Sequence, residues 1–363
     1  MAGLYIHVPF CHTKCAYCDF YSLPRADEYA ETYVNALHTE WDLRKDETGE
    51  ISTIYFGGGT PSLLFEKHIE RLSEWLPKTD SEFTVEFNPE DVTESKLEVW
   101  KSVGANRVSM GIQSLNDAEL KFVGRRHTAR EALNAYELIR TFFNNVSVDL
   151  IIGLPGQTAE TLTTSLETVL SLRPEHISVY ILSYEEGTRL WAMKKTGKIE
   201  ETDDNTIALM YATVCRMMKE SGYEHYEISN FALPGCRARH NSAYWAGTSY
   251  LGLGPAAHSY DGKTRRVNPS NIKEWLKHLL EGQPACVTET ESEEDRVNNL
   301  IMTRLRTAEG LCLNDIPENF RQAFSENMKQ LPPKRIVTAN NRIYIPEEGW
   351  LLSDDTIATL FID

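Results

Sequence analysis

The chain has 363 residues, 41 % of them hydrophobic, which predicts a globular protein with one large domain and a smaller one. Its formal net charge of −16 at pH 7 argues against nucleic acid as a partner and against a broad surface for anionic membranes. The sequence has no apolar stretch long enough to cross a membrane and no secretory start, so we expect a cytoplasmic protein without an integral membrane segment.

Strand and helix signals alternate along the first half of the chain, as they do in repeated βα units. We predict six parallel strands, at residues 4–8, 53–56, 83–87, 107–112, 146–152 and 177–182. Apolar residues at helical spacing lie between them, for example Tyr29, Tyr33 and Leu37, and Thr128 with Glu131 forms a capping-box sequence. Such units close into a barrel or form a doubly wound sheet, and in both folds ligands bind at the carboxyl ends of the strands.

Three cysteines follow the first predicted strand at a C-x3-C-x2-C spacing, namely Cys11, Cys15 and Cys18. Three thiolates on one short loop suit a [4Fe-4S] cluster in which one iron is left free for another ligand. Two alternatives remain open, a zinc site completed by His7, His12 or Asp19 and a stripe of structural cysteines on one face of a helix. The other four cysteines are scattered, which does not indicate a disulfide framework.

The cysteine spacing, with Tyr17 between the second and third cysteines, resembles the signature of the radical S-adenosylmethionine (radical SAM) superfamily. In that superfamily the amino and carboxylate groups of S-adenosylmethionine bind the fourth iron. Polar residues suited to such a ligand follow the predicted strands, and they include Gly57-Gly58-Gly59-Thr60-Pro61, Glu86, Asn88, Gln113, Ser114 and Asp149. Glu86 and Asp149 can accept hydrogen bonds from the ammonium group or the ribose, and Gln113 can reach a ribose hydroxyl. Arg125 can pair with the carboxylate of the ligand.

Five motifs in order narrow the resemblance, and they are YIHVPFC at 5–11, GGGTP at 57–61, VEFNP at 85–89, GIQS at 111–114 and VDLIIGLP at 148–155. They resemble the family of oxygen-independent coproporphyrinogen III oxidase and its relatives over about residues 4–260. The resemblance implies an α/β fold with a partial (β/α)6 TIM-like barrel, and Cys11, Cys15 and Cys18 as the ligands of the cluster. It also implies a set of residues that bind S-adenosylmethionine, comprising Tyr5, Gly58, Gly59, Thr60, Glu86, Gln113, Arg125, Asp149, Ile181 and His258.

Within that family the sequence resembles the HemW group of heme chaperones more than the oxidase. The oxidase has a further cysteine where this chain has Phe20, and it has a longer segment before its cluster loop. The segment His240-Asn241-Ser242-Ala243-Tyr244-Trp245 resembles the H-N-x-x-Y-W motif that is associated with heme binding in the chaperones. Histidine can bind heme iron, and aromatic rings suit a porphyrin. We therefore expect heme as a third cofactor, His240 as its iron ligand, and Arg237 and Arg239 as partners of the heme propionates.

The expected function is to bind the cluster, S-adenosylmethionine and heme, and to transfer heme to an acceptor, such as a respiratory membrane protein. Two alternatives are oxidative decarboxylation of coproporphyrinogen III and a radical SAM reaction on another substrate, so the sequence leaves open whether the protein is an enzyme.

The organisation changes after the first 200 residues. We predict the radical SAM barrel at 1–200, a connecting region with the HNxxYW motif at 201–262, and a smaller, mainly helical C-terminal domain at 263–363. Apolar residues at helical spacing predict helices around 275–280, 298–305 and 311–324, and residues 342–345 with Trp350 and Leu351 predict a small hairpin. We expect this domain to cover or shape the mouth of the barrel.

Overall fold

The first half of the chain forms repeated βα units. The computed structural model describes residues 2–24 and 26–362, without the side chains of residues 26 and 27. Its strands and helices up to residue 181 are β1 (Ala2–Val8), α1 (Ala26–Arg44), β2 (Ile51–Gly58), α2 (Glu66–Ser73), β3 (Glu82–Phe87), α3 (Glu94–Ser102), β4 (Arg107–Gln113), α4 (Asp117–Val123), α5 (Ala129–Phe142), β5 (Val146–Ile152), α6 (Ala159–Leu172) and β6 (His176–Ile181). The six predicted strands are confirmed.

The six strands pair in chain order and in parallel, from β1 to β6. Their sequences are nearly continuous apolar runs because both faces of the sheet are covered. Ile6, Val85 and Val148 are fully buried, and the helices pack an apolar face on the outside of the sheet. This arrangement confirms the α/β fold and the partial barrel, and it brings the carboxyl ends of six strands to one edge.

Helix α5, the second helix after β4, begins where the sequence indicated. The Thr128 side chain accepts a hydrogen bond from the backbone N–H of Glu131, whose carboxylate accepts one from the backbone N–H of Thr128. This reciprocal capping box satisfies two N–H groups that the first turn of a helix leaves free. The predicted capping box is therefore confirmed.

The second half of the chain extends this sheet and adds a helical region. Its elements are α7 (Arg189–Lys195), α8 (Asp204–Glu220), β7 (Glu224–Glu227), β8 (Asn230–Ala232), α9 (Arg239–Trp245), β9 (Tyr250–Leu253), β10 (His258–Tyr260), β11 (Arg265–Val267), α10 (Ile272–Leu280), β12 (Val287–Glu289), α11 (Glu293–Arg304), β13 (Leu311–Cys312), α12 (Arg321–Gln330), β14 (Val337–Ala339), β15 (Arg342–Tyr344) and α13 (Ser353–Leu360). None of the helices within 2–24 and 26–362 has both the length and the apolar composition to cross a membrane.

Six short strands of this half join the large sheet, which the sequence did not predict. β9 pairs with β1 in parallel, and β10, β11 and β12 continue beyond it in antiparallel order. At the opposite side, β8 and then β7 follow β6, also antiparallel. The sheet therefore has twelve strands in the order β12-β11-β10-β9-β1-β2-β3-β4-β5-β6-β8-β7. The division of the chain at residues 200 and 262 stays a prediction.

A buried ion pair fixes β9 and β10 against the barrel. The Glu40 and Arg44 side chains on α1 are both fully buried, with 3.1 Å between Nη1 and Oε1. Arg44 also donates to the carbonyl oxygen of Gly252 and to Oγ of Ser259, at 3.2 and 3.0 Å. The remaining Glu40 oxygen accepts from Nε1 of Trp275. Since each charge is paired and hydrogen-bonded, this network holds α1, β9, β10 and α10 together.

The small sheet near the C-terminus differs in part from the predicted hairpin. Strands β14 and β15 pair antiparallel and β13 pairs with the other side of β15. The turn between β14 and β15 is Asn340-Asn341, with both residues at positive φ, the backbone that a tight hairpin turn requires and that asparagine tolerates. Trp350 and Leu351 lie in a 3-10 helix at Glu347–Leu352, so their assignment to the hairpin is wrong.

Candidate functional site

Two cavities lie side by side at the carboxyl edge of the barrel strands. The smaller has a volume of about 350 Å³ and the larger about 910 Å³, both within the range of small-molecule and cofactor sites. Lys14 and Phe20 of the cysteine loop line both of them. We call them the cysteine cavity and the aromatic cavity.

The cysteine cavity brings together most of the residues that the sequence singled out. Its walls include the three cysteines and seven of the ten residues expected to bind S-adenosylmethionine, namely Gly58, Gly59, Thr60, Glu86, Gln113, Arg125 and Asp149. Residues from five different strand ends meet here because parallel strands place their carboxyl ends at one edge. These residues therefore meet at one edge, as the motifs predicted. That they bind S-adenosylmethionine stays a prediction.

The loop that carries the three cysteines, residues 11–24, is irregular and anchored at both ends. Cys11 N–H donates to the carbonyl oxygen of Leu23, and Ala16 N–H donates to that of Val123. The described residues 11–24 form no helix, and the three cysteines are partly exposed to the cavity. The cysteines therefore form no packed helical stripe, and that alternative is excluded.

The spacing of the three sulfur atoms distinguishes a cluster from a single ion. Tetrahedral zinc with Zn–S bonds of about 2.3 Å holds its sulfur ligands about 3.8 Å apart, whereas a cube binds each thiolate at a separate iron. In the part of the chain that the structure describes, the one group of three potential ligand atoms within 4.8 Å of one another is Cys215, His225 and Glu347. The loop cysteines are spaced more widely, which fits a [4Fe-4S] cluster better than zinc.

A chain of hydrogen bonds joins Cys11 and Cys15 through the cavity wall. Thr60 Oγ1 lies 3.4 Å from the Cys11 sulfur and accepts a 3.1 Å hydrogen bond from Asn88. Arg125 Nη2 donates to Oδ1 of Asn88 at 2.6 Å, and its Nη1 lies 3.7 Å from the Cys15 sulfur. Arg125 Nε is buried without a hydrogen-bond partner. A buried donor beside the cluster loop fits an acidic ligand group such as a carboxylate.

The glycines of the GGGTP segment are required by their neighbours. A Cβ atom on Gly59 would lie 2.7 Å from the carbonyl oxygens of Val8 and Phe10, and one on Gly58 would lie 2.5 Å from the His7 ring. Gly58 also has a φ of 102°, which side chains disfavour. The segment therefore brings β2 close to the start of the cysteine loop while its backbone lines the cavity.

Two carboxylates give the cysteine cavity its electrostatic character. Burial raises the pKa of Glu86 from 4.5 to about 7, although Tyr55 donates a 2.7 Å hydrogen bond to its Oε1. Burial also raises the pKa of Asp149, which accepts from Ser109 Oγ at 3.3 Å. A cationic ligand would favour the ionised form of both groups, so this wall suits an ammonium or sulfonium ion.

Gln113 occupies a backbone conformation that is unusual for its residue type. Its φ is 69° at the end of β4, where the pairing with β5 shifts by one residue. Left-handed backbone on a residue other than glycine or asparagine is sparsely populated and concentrates at ligand sites. The geometry turns this side chain toward the cavity edge, consistent with its predicted role.

The other expected ligands of S-adenosylmethionine lie elsewhere. Tyr5 and His258 line the aromatic cavity, and Ile181 lines neither of the two cavities. Tyr5 stacks on Tyr55, with 6.2 Å between ring centroids, and Tyr55 in turn donates a hydrogen bond to Glu86 of the cysteine cavity. The roles of Tyr5, Ile181 and His258 in binding S-adenosylmethionine stay predictions.

The aromatic cavity is formed by the cysteine loop, the end of α9, the strands β9 to β11 and one face of α11. Tyr244, Trp245, Tyr250 and Tyr260 supply aromatic surface, and Lys14, Arg265, Arg296 and Arg304 supply positive charge. The C-terminal region thus forms one wall of the barrel mouth, as the sequence led us to expect. A flat, mainly apolar and anionic ligand suits this combination of surfaces.

His240 is placed beneath this cavity rather than in it. Its side chain is buried, Nδ1 lies 2.8 Å from Oγ1 of Thr53, and Nε2 lies 2.9 Å from the Tyr244 hydroxyl. Burial lowers the pKa of His240 to about 3. Arg237 pairs with Glu224 and Glu309, and Arg239 donates to Ser81. Neither the histidine nor the two arginines line either cavity, and their roles in heme binding stay predictions.

Sequence reasoning missed two features of these cavities. Tyr55 carries the hydrogen bond to Glu86 and stacks on the His240 ring at 5.1 Å, yet a strand tyrosine gives no signal in sequence. Arg265 lies on β11, whereas Arg296 and Arg304 lie on α11, so their shared cavity depends on long-range packing between these elements.

Comparisons with known proteins agree with this geometry. A family model described as the radical SAM superfamily matches residues 5–169. Heme chaperone HemW of Bacillus subtilis (strain 168) is 35 % identical, with 98 % of this chain and 98 % of that protein covered. The chain belongs to the HemW family of the radical SAM superfamily. Heme chaperone HemW of Lactococcus lactis is also similar, with 31 % identity over 99 % of this chain and 97 % of that protein.

A solved structure gives the same fold over almost the whole chain. Coproporphyrinogen III oxidase (HemN) from Escherichia coli, described as a radical SAM enzyme, matches with a TM-score of 0.84 and 23 % identity and covers 99 % of this chain and 90 % of that one. This structure confirms the predicted fold, and the HemW relatives confirm the predicted family resemblance. Membership of the radical SAM superfamily implies a [4Fe-4S] cluster and S-adenosylmethionine.

Proposed function

We propose that the protein is a heme chaperone of the radical SAM type, which binds a [4Fe-4S] cluster, S-adenosylmethionine and heme and transfers heme to an acceptor protein. The observation that carries this proposal is the pair of adjoining cavities. One is lined by three cysteines and two carboxylates, and the other by aromatic rings and basic side chains. The names of the HemW relatives support the same function.

In this proposal Cys11, Cys15 and Cys18 hold the cluster, and Arg125 holds the carboxylate of S-adenosylmethionine through its free Nε. Glu86 and Asp149 accept hydrogen bonds from the ammonium group or the ribose. The bound cofactors supply the redox chemistry, and the protein binds, orients and shields them. We further propose a cytoplasmic location, the division of the chain at residues 200 and 262, and a respiratory protein as the heme acceptor.

Cluster binding is tested by serine substitution of the three cysteines, one at a time, followed by anaerobic reconstitution. We expect each variant to hold less than half of the iron and sulfide of the wild type. Cys286→Ser is the matched control, because Cys286 directly precedes β12 and lines neither cavity. Full iron content in all three variants would contradict the assignment.

The second candidate function is oxidative decarboxylation of coproporphyrinogen III, which the fold shared with HemN favours. Phe20, at the position where the oxidase has a further cysteine, argues against it. An anaerobic assay of the reconstituted protein with coproporphyrinogen III and S-adenosylmethionine separates the two. We expect no protoporphyrinogen, together with binding of ferric heme and its release to an apo-protein acceptor, whereas protoporphyrinogen formation would replace the chaperone proposal.

A further inference from the structure

Both ring nitrogens of His240, the histidine of the HNSAYW segment, already have hydrogen-bond partners within the fold. A neutral imidazole has one donor and one acceptor nitrogen, and in His240 these meet the hydroxyls of Thr53 and Tyr244 at 2.8 and 2.9 Å. The ring also stacks on Tyr55, and a Cβ atom on Gly3 would lie 3.1 Å from its Cε1. To bind iron, His240 would have to leave this packing, give up two buried hydrogen bonds and leave the Thr53 and Tyr244 hydroxyls without these partners.

The same contacts explain what His240 does for the aromatic cavity. Its Nε2 fixes the Tyr244 hydroxyl, and the Tyr244 ring meets the Tyr250 ring edge-on at 4.5 Å. Tyr244 and Trp245 both line the cavity, whereas His240 does not. His240 is thus a positioning residue for the aromatic wall.

Two histidines do line the aromatic cavity, and they differ in what their rings contact. His7 is buried, with Nδ1 at 3.1 Å from the Tyr5 hydroxyl and Nε2 at 2.9 Å from the carbonyl oxygen of Tyr21. His258 is exposed to the cavity, and its ring makes no hydrogen bond or ion pair with the residues that the structure describes. The neutral His258 ring therefore offers a free nitrogen lone pair to a ligand in this space.

The backbone that carries His258 is rigid, which suits a metal ligand. A Cβ atom on Gly252 of β9 would lie 2.0 Å from the carbonyl oxygen of His258, so the two strands approach as closely as glycine allows. The neighbouring Ser259 is buried, and its Oγ accepts hydrogen bonds from Arg44 and from the N–H of Gly252 at 3.0 and 2.9 Å. The buried ion pair of α1 thus holds the strand on which His258 sits.

Charge on the cavity wall fits an anionic porphyrin. Four basic side chains line it, and Asp19 is the one acidic residue among its described lining residues, although the chain carries a net charge of −16. Arg265 stacks on Tyr260 and uses its Nε to bind Glu291. Arg304 uses one Nη2 hydrogen bond to the carbonyl oxygen of Ala246. Each guanidinium group retains N–H donors that can bind a carboxylate.

We propose that heme binds in the aromatic cavity with His258 as the iron ligand that the protein supplies, that Arg265, Arg296 and Arg304 bind its propionates, and that His240 positions Tyr244. This inference rests on the proposed function, because it names the residues through which this protein would hold heme.

The test is titration of the cluster-loaded protein with ferric heme and, separately, with metal-free protoporphyrin IX. We compare the wild type with His258→Ala, His240→Ala and the control His278→Ala, a histidine on α10 outside both cavities. Removing His258 is expected to shift the Soret band, to abolish the ferric EPR signature of histidine ligation and to weaken heme binding at least tenfold. Affinity for protoporphyrin IX should change less than threefold, and added imidazole should restore the histidine-type spectrum.

The other variants have distinct expected results. His240→Ala should keep the histidine-type spectrum and weaken the binding of heme and of protoporphyrin IX by the same factor, because the substitution loosens the aromatic wall. Tyr244→Phe, which leaves both histidines in place, should do the same, so a folding defect in His240→Ala does not decide the test. His278→Ala should match the wild type. An unchanged heme spectrum in His258→Ala, or loss of histidine ligation in Tyr244→Phe or His240→Ala alone, overturns the inference.

Failure of the proposed function can be distinguished from failure of the His258 assignment, because in the first case the wild type would bind neither heme nor protoporphyrin IX. The propionate contacts are tested with heme dimethyl ester, which lacks the negative charges. Arg296→Gln and Arg304→Gln should each weaken heme binding several-fold and leave the ester unaffected. Equal loss for both ligands would show that these arginines shape the cavity without binding propionates.

Discussion

Replacing Glu86 by glutamine is expected to make the protein more stable above neutral pH and to impair ligand binding. Burial raises the pKa of Glu86 from 4.5 to about 7, so the folded protein holds its proton more tightly than the unfolded chain does. Such a group contributes stability below pH 4.5 that is lost as the pH rises through about 7. Each pKa unit corresponds to about 1.4 kcal/mol. After an allowance for the partial exposure of the side chain to the cavity, ionised Glu86 lowers the free energy of unfolding by about 2 to 3 kcal/mol.

Glutamine removes this penalty because it stays neutral, while its amide oxygen can still accept the hydrogen bond from Tyr55. The unfolding free energies of Glu86→Gln and wild type should therefore be similar at pH 5 and differ by about 2 to 3 kcal/mol at pH 8.5. Urea denaturation of the cofactor-free proteins, followed by circular dichroism at several pH values, measures the difference. The control Glu137→Gln makes the same substitution at an exposed residue on α5 that lines neither cavity.

The same variant should bind S-adenosylmethionine about 10 to 100 times more weakly, since hydrogen bonds to a charged acceptor contribute about 1.5 to 3 kcal/mol. Stability and binding would then move in opposite directions, as is common where a site stores an unfavourable charge. A stability difference between Glu86→Gln and wild type that is the same at pH 5 and pH 8.5 would refute the assigned protonation of Glu86.

Two further substitutions test the framework around the cavities. Gly59→Ala should lower the free energy of unfolding by about 2 kcal/mol or more, because its Cβ would lie 2.7 Å from two backbone oxygens. The control Gly49→Ala, with no atom within 4 Å of its Cβ, should change the free energy of unfolding by less than about 0.5 kcal/mol. Equal effects of the two substitutions in urea denaturation would disprove the close approach at Gly59. Arg44→Leu leaves the buried Glu40 carboxylate without its cation and should cost about 3 to 5 kcal/mol, measured in the same way. Adding Glu40→Gln should recover part of that loss, and no recovery would show that the loss reflects packing rather than charge.

The parts of the fold that were predictable are those encoded within one element. The six barrel strands are long apolar runs that end in glycine or polar residues, and the capping box at Thr128 is a local contact. The hydrophobic periodicity and the residues that end each element were therefore enough to predict these elements. Strand β9 is four residues long and pairs with β1 from the other end of the barrel, with Gly3 opposite Tyr250. Such short strands gain their stability from long-range pairing, which the sequence of the segment does not reveal.

Some residues of the candidate site could likewise be predicted from the sequence, and others could not. Glu86, Gln113 and Asp149 follow predicted parallel strands, so their meeting at one edge could be inferred from topology. His240 could not be judged from its segment, because its environment consists of Thr53 and Tyr55 from β2. A histidine between aromatic residues is equally compatible with a metal ligand and with a buried hydrogen-bonding group, and the partners from another strand decide between them.

The cysteine loop makes the two cavities parts of one binding system. Lys14 and Phe20 line both of them, and each lies within two residues of a cluster cysteine. A cluster bound to these cysteines restricts the backbone on which both side chains sit, and a ligand in the aromatic cavity would cover Phe20, which is 61 % exposed. The free energy of heme binding should therefore depend on whether the cluster is present, and by linkage heme should change cluster retention by the same factor. Heme titrations of the cluster-loaded and cluster-free protein, with iron retention against a chelator measured in parallel, test this coupling, and equal heme affinities in the two states would show that the cavities act independently.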